Sequence, residues 1–250
     1  MESTLQGTHT RGTNLLPRAS RIPGLDTLRG ACVVLMVLFH LGYDLYAYCG
    51  LPFFAPGRPL MAAVQVVASW GFLLLAGFSA TLSRSNVRRG LRLVLCGALV
   101  SLVTAPWGDP IRFGVLALLG WSMVLYGLTA PLWTRLPPMA GTVLSLLLFA
   151  AARTLFPRPV SLPFLYPFGL YAPGFQSADY WPLLPWFFLF LAGTGLGRLQ
   201  VRLPDAVRTF RLPGLDWLGR HSLPVYLLHQ PVLVGLVMGV ARLTGHPFAV

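Results

Sequence analysis

Of the 250 residues, 55% are apolar and only 10% charged, with a mean hydropathy of +0.67, which excludes an ordinary soluble domain. The formal charge of +12 comes from 19 arginines without a single lysine, so Schiff-base and lysine-base chemistry are excluded. The arginines stand in short clusters between apolar stretches, a pattern of membrane orientation rather than of nucleic-acid binding.

The first ~20 residues are polar and lack an apolar core followed by a small-residue cleavage site, so no cleavable signal is expected. The reading is a cytoplasmic tail over 1–22 and a single membrane domain over 23–250. A hydrocarbon core ~30 Å thick takes about 20 apolar residues per helix. Runs of that kind lie near 26–48, 61–82, 90–106, 112–133, 139–156, 181–199 and 218–243. They are continuous and lack the alternation of barrel strands, which predicts an all-α polytopic membrane protein with about seven transmembrane helices around a central cavity.

Pro and Gly punctuate the connections LPFFAPGRP, APWGDP and RLPP. The long segment 156–182 is aromatic rather than charged, and reads as an interfacial or re-entrant hairpin. Cys32, Cys49 and Cys96 form no CxxC pair, so neither a disulfide framework nor a metal site is expected. No internal repeat is visible.

Counting arginines in alternate connections sets the orientation. With the N-terminus cytoplasmic, that side carries 14 of the 19, including Arg29, Arg84, Arg88, Arg89, Arg92, Arg198 and Arg220. The opposite side carries the remaining five, Arg58, Arg112, Arg153, Arg158 and Arg242. The expected topology is N-terminus in and C-terminus out.

Ionisable side chains inside such helices are costly, about 2.5 kcal/mol or more near the bilayer centre, and normally face a partner or a wet cavity. In RGACVVLMVLFHLGYDL, Arg29 and His40 are 11 residues apart, within ~20° of three full turns. Asp26 and Arg29 are spaced i,i+3 and His40 and Asp44 i,i+4, so all four fall on one stripe. At 1.5 Å per residue His40 lies roughly 16 Å beyond Arg29, near mid-membrane. In GRHSLPVYLLHQPVL, Ser222, Tyr226 and His229 share a face with Gln230 beside it, and His229 lies ~13 Å from Arg220, a depth similar to that of His40. Each of these, taken singly, is also satisfied by an interhelical hydrogen bond of the modest kind common between membrane helices. Tyr43, Trp181 and Trp186 read as interfacial belt residues.

Arg29 followed ten residues later by His40 matches the arginine-X10-histidine motif at the head of the first helix of membrane-bound acyltransferases. PGLDTLRGACVVLMVLFHLGYDL more closely resembles the opening of the heparan-alpha-glucosaminide N-acetyltransferase-like family of bacterial membrane proteins. The likeness continues through FLLLAGFSATLSRS, FGVLALLG, DYWPLLPW and LGRHSLPVYLLHQPV, nearly the whole chain after residue 20. Relatives often carry a polar residue, frequently histidine, where this chain has Ala117. The resemblance implies an inner-membrane enzyme that takes an acyl group from acetyl-CoA or another acyl-CoA on the cytoplasmic side. It delivers that group to a sugar amine or hydroxyl on the other side, without a metal, and the family's histidine maps to His40.

Acyl transfer from a thioester needs a base or nucleophile, a group that orients it, and polarisation of the carbonyl. On this reading His40 takes the acceptor's proton or transiently carries the acyl group, while Asp44 fixes its tautomer, a part that Asp179, arriving with the sixth span, is also placed to play. Tyr226, His229 and Gln230 are candidate donors to the thioester oxygen. Arg29, Arg88, Arg89 and Arg92 are candidate forks for the CoA phosphates. The partners are then lipid, acyl-CoA and a saccharide or glycan acceptor, with a homodimer left open. A proton- or solute-coupled transporter with His40, Asp44 and His229 as a relay is the alternative, and a haem carrier ligated by two histidines a third.

Overall fold

The computed structural model describes residues 22–107, 110–199 and 204–244, so the expected tail lies, but for Ile22, outside the described residues. The chain is built from helices: α1 (Pro23–Cys49), α2 (Pro59–Thr81), α3 (Asn86–Thr104), α4 (Val115–Thr134), α5 (Pro138–Leu155), α6 (Leu183–Arg198), α7 (Asp205–Thr209), α8 (Pro213–Arg220) and α9 (Ser222–Thr244). Four of them, α1, α2, α5 and α8, open on a proline, whose fixed φ suits the first turn and whose missing N–H costs nothing there. α1 stops at Gly50, which takes the left-handed conformation at φ 64° and returns its N–H to the Tyr46 carbonyl.

Five helices are long and apolar enough to cross a membrane: α1, α2, α4, α5 and α9. The other two expected spans differ for physical reasons. α3 carries Arg88, Arg89 and Arg92 in its first turns, and α6 is only 16 residues long. The run expected over 218–243 is two helices, α8 and α9, broken at His221. Pro224 favours the break, because it lacks an N–H and its ring crowds the carbonyl four residues back, and it sits here in the first turn of α9.

The aromatic segment 156–182 folds into a cap. Its strands β1 (Arg158–Pro159) and β2 (Leu170–Tyr171) pair in parallel around a short 3-10 turn at Pro163–Phe168. Tyr166, Phe175 and Tyr180 stack within it, and the Arg112 guanidinium lies 5.7 Å over the Phe175 ring. The backbone N–H of Trp181 donates to the Phe113 carbonyl at 2.8 Å, which ties the cap to the start of α4.

The helices form an arc. α1 packs on α2, α8 and α9; α2 packs on α6; α6 holds α5 on its outer side; and α4 joins α6 to α3. Small residues permit these approaches, as expected where lipid offers no hydrophobic drive between helices. A Cβ on Gly30 would fall on the Leu215 carbonyl, and one on Gly219 on the Asp26 carbonyl, so α1 and α8 touch backbone to backbone. The same holds for Gly77 against Phe190 and Gly193 against Leu74, between α2 and α6. α8 is fixed further by Asp216, buried at 4% exposure, whose Oδ2 accepts from Arg211 and Arg220 at 2.8 Å each.

Gly30→Ala is expected to lower the melting temperature of the detergent-solubilised protein, since overpacking of this kind costs about 1–3 kcal/mol. Gly235→Ala, where a Cβ meets open space, should leave the melt unchanged or raise it. Tryptophan fluorescence during heating reads both.

Candidate functional site

The polar stripe of α1 lines a cavity of about 460 Å³. From α1 it takes Asp26, Arg29, Cys32, Val33, Met36 and His40, which the helical repeat places in register along one side. Arg89 and Arg92 from α3, Arg220 at the end of α8, and Ser79 from α2 surround Arg29 at one end. His40, Asp179, Trp181, Tyr226 and Gln65 gather towards the other, and an apolar wall of Phe72, Leu93, Leu116, Leu119 and Met123 lies between.

The arginine end is held by specific bonds. Arg29 donates to Asp26 Oδ1 at 2.7 Å and to Ser79 Oγ at 2.6 Å, so the i,i+3 pair expected from the sequence is present. Arg220 is braced by Asp216. Of the four arginines singled out in the sequence, Arg29, Arg89 and Arg92 line the cavity, while Arg88 lies outside its wall. One residue of helical twist, about 100°, separates Arg88 from the inward face of α3. Arg220 takes its place, a residue the sequence marked only as a topological charge.

At the inner end the imidazole of His40 is fixed by its own helix. His40 Nδ1 lies 2.9 Å from the Met36 carbonyl, an acceptor only, so Nδ1 carries the proton and Nε2 keeps its lone pair. This corrects the expectation that Asp44 sets the tautomer. Helical side chains lean towards the N-terminus, which brings the ring back to the carbonyl of residue 36. The Asp44 carboxylate is fully buried and takes a 2.8 Å hydrogen bond from Gln230 Nε2, joining α1 to α9.

His229 meets His40 edge to face, with ring centroids 4.7 Å apart, so the two histidines do reach the same depth. Its Nδ1 donates to the Tyr226 carbonyl at 2.6 Å, and its buried Nε2 finds no hydrogen-bond partner among the described residues. In that tautomer His229 is no donor to a thioester oxygen, and neither it nor Gln230 belongs to the cavity wall. Tyr226 does belong, and faces the Asp179 carboxylate.

Asp179 arrives from the cap rather than from α6. Its Oδ2 accepts the Val115 backbone N–H at 3.3 Å, capping α4, and its carboxylate faces His40, Trp181 and Tyr226. Burial pushes its carboxyl up, against the opposing pull of the Val115 amide and His40. It also lines a second cavity of about 260 Å³ with Gln65, Trp181, Tyr180 and Trp186. Gln65, Asp179 and Trp181 are common to both, so the two spaces meet a short way from His40.

Sequence reasoning missed Gln65 and Trp181. The signal for Gln65 was a lone amide in the apolar run AAVQVVASW; Trp181 read as a belt residue. Ala117 packs towards Gly97 of α3 and lies outside the cavity wall.

The profile of the heparan-alpha-glucosaminide N-acetyltransferase catalytic domain matches residues 21–231. No curated protein and no solved structure matches the chain. The matched stretch spans most of the sequence and contains Arg29, His40, Asp179 and Tyr226. The chain therefore belongs to the heparan-alpha-glucosaminide N-acetyltransferase catalytic-domain family, as a helical membrane protein whose class of reaction is acetyl transfer.

Proposed function

We propose that this protein, in a bacterial inner membrane, moves an acetyl group from cytoplasmic acetyl-CoA to a sugar amine or hydroxyl supplied from the opposite side. The observation that carries this reading is the single cavity joining four arginines to the free Nε2 of His40, with a second cavity meeting it at Asp179. In this reading α3 and α6 cross the membrane as well as the five candidate spans, and the arginine count favours a cytoplasmic N-terminus. That orientation puts Arg29, Arg89, Arg92 and Arg220 at the cytoplasmic mouth. Guanidinium forks there match the phosphates of CoA, and the pantetheine arm runs past Cys32, Met36 and Phe72 on the α1–α2 side of the cavity towards His40.

The chemistry then follows from the tautomer. The acceptor nitrogen or oxygen attacks the thioester carbonyl, Nε2 of His40 takes its proton, and the C–S bond breaks. The imidazolium returns that proton to the CoA sulfur, so His40 ends neutral. A transient acyl group on His40 would use the same lone pair. Tyr226 is placed to donate to the carbonyl oxygen as charge develops on it, and Asp179, facing His40, stabilises the imidazolium. Asp44 acts at a distance by pinning α9 to α1 through Gln230.

The direct test is release of CoA from labelled acetyl-CoA by the purified protein, dependent on an added amino sugar. His40→Ala is expected to cut that release by about 100-fold or more while the protein still elutes as a folded species, the range general-base catalysis supplies. Full activity in that variant removes His40 from the mechanism.

Replacing Arg89 and Arg92 together by alanine is expected to raise the KM for acetyl-CoA about tenfold or more, since each charge-assisted bond is worth about 1.5–3 kcal/mol. The change in kcat should be smaller. Steady-state kinetics against acetyl-CoA concentration separates the two.

A further inference from the structure

The arc of helices leaves the cavity open on one flank. α9 packs chiefly on α1 and α8, and α3 on α4, with no comparable packing between α9 and the α3–α4 pair among the described residues. Yet both flanks contribute to the same wall: Leu223 and Tyr226 from α9, Leu93 from α3, Leu119 and Met123 from α4. Leu223, Leu93, Leu119 and Met123 lie between the arginine end and His40, at depths where the surroundings are hydrocarbon rather than water. A gap between helices at that level opens into lipid.

The two ends of the space differ in chemistry. Around His40 stand Asp179, Gln65, Trp181 and Tyr226, groups that suit a saccharide through hydrogen bonds and an aromatic face. Away from Tyr226, the flank between α9 and the α3–α4 pair presents Leu93, Leu119, Met123 and Leu223, all aliphatic or methionine. A molecule that satisfies both has a sugar at one end and an alkyl chain at the other. Its chain would exchange lipid for an equally apolar slot, while its head finds the polar partners that lipid lacks.

We propose that the acceptor is a lipid-anchored saccharide, with its sugar between His40 and Asp179 and its alkyl chain passing between α9 and the α3–α4 pair into the bilayer. The proposal rests on the acetyl-transfer reading and narrows its acceptor. Membrane confinement then raises the acceptor's local concentration, and the flank between the helices selects for the chain.

The test uses the full chain in liposomes with two acceptors sharing one head group, glucosamine and a dodecyl glucosaminide. The expected kcat/KM is about tenfold or more higher for the dodecyl compound, a modest share of what confinement gives through effective concentration. Met123→Trp and Leu223→Trp, which fill the flank from opposite sides, are expected to bring that ratio towards one. Because either variant can unfold, a dodecyl glucosaminide with a photoreactive mid-chain group is also applied to the unaltered protein without acetyl-CoA. Labelling of α9, α3 or α4 that unlabelled dodecyl glucosaminide competes away supports the lateral slot. If such labelling occurs while neither acceptor is acetylated, the acetyl-transfer reading fails and the slot stands. Equal kcat/KM for the two acceptors, labelling confined to α5, or a second copy cross-linked across α9 that excludes the probe overturns the proposal.

Discussion

A charge placed among lipid tails must find a partner or water, and α1 carries Asp26, Arg29, His40 and Asp44 on one stripe of a membrane-spanning helix. Neighbouring helices supply partners for most of that stripe. Asp26 neutralises Arg29, Ser79 of α2 takes its second N–H, and Gln230 of α9 meets Asp44. The Met36 carbonyl takes one nitrogen of His40 and the other is left to the cavity. α2, α8 and α9 are therefore gathered around α1 by polar contacts as well as by glycine-mediated approach, and the space they enclose with α3 and α4 is the candidate site.

Much of this was legible beforehand because helical periodicity is strict. The spacing of Arg29 and His40 put them on one face, and counting turns put His40 and His229 at one depth, where the structure brings their rings to 4.7 Å. The break at His221 could have been read from Pro224, whose missing N–H and ring disfavour helix immediately before it. Three points were illegible for a different reason. Whether His40 turns to Asp44 or to Met36, whether Arg88 or Arg89 points inwards, and whether Trp181 faces lipid or cavity depend on rotamers and helix rotation. Tertiary contacts set those, and spacing does not. Asp179 was expected near α6, but its loop delivers it to the first turn of α4, a pairing 64 residues apart in the chain.

The placement of Asp179 matters for the chemistry. It caps α4, faces His40 and Tyr226, and borders both cavities, so one carboxylate ties the cap to the site. The aromatic cap around Tyr166, Phe175 and Tyr180 thereby gains a role beyond covering the helices, because it holds the loop that carries this group. Arg220 plays the corresponding part at the opposite end. Asp216 braces it at the end of α8, which the backbone contacts at Gly30 and Gly219 press against α1.

The central claim is that one imidazole is reached by a thioester from the arginine-lined end. The most direct measurement is an experimental structure of the protein with a thioether analogue of acetyl-CoA that cannot transfer its acyl group. The account predicts phosphate density among Arg29, Arg89, Arg92 and Arg220, with the analogue's carbonyl within hydrogen-bonding reach of Tyr226 and its carbonyl carbon beside His40 Nε2. Analogue bound outside this cavity, or a His40 ring sealed from it by hydrocarbon side chains, would contradict the account.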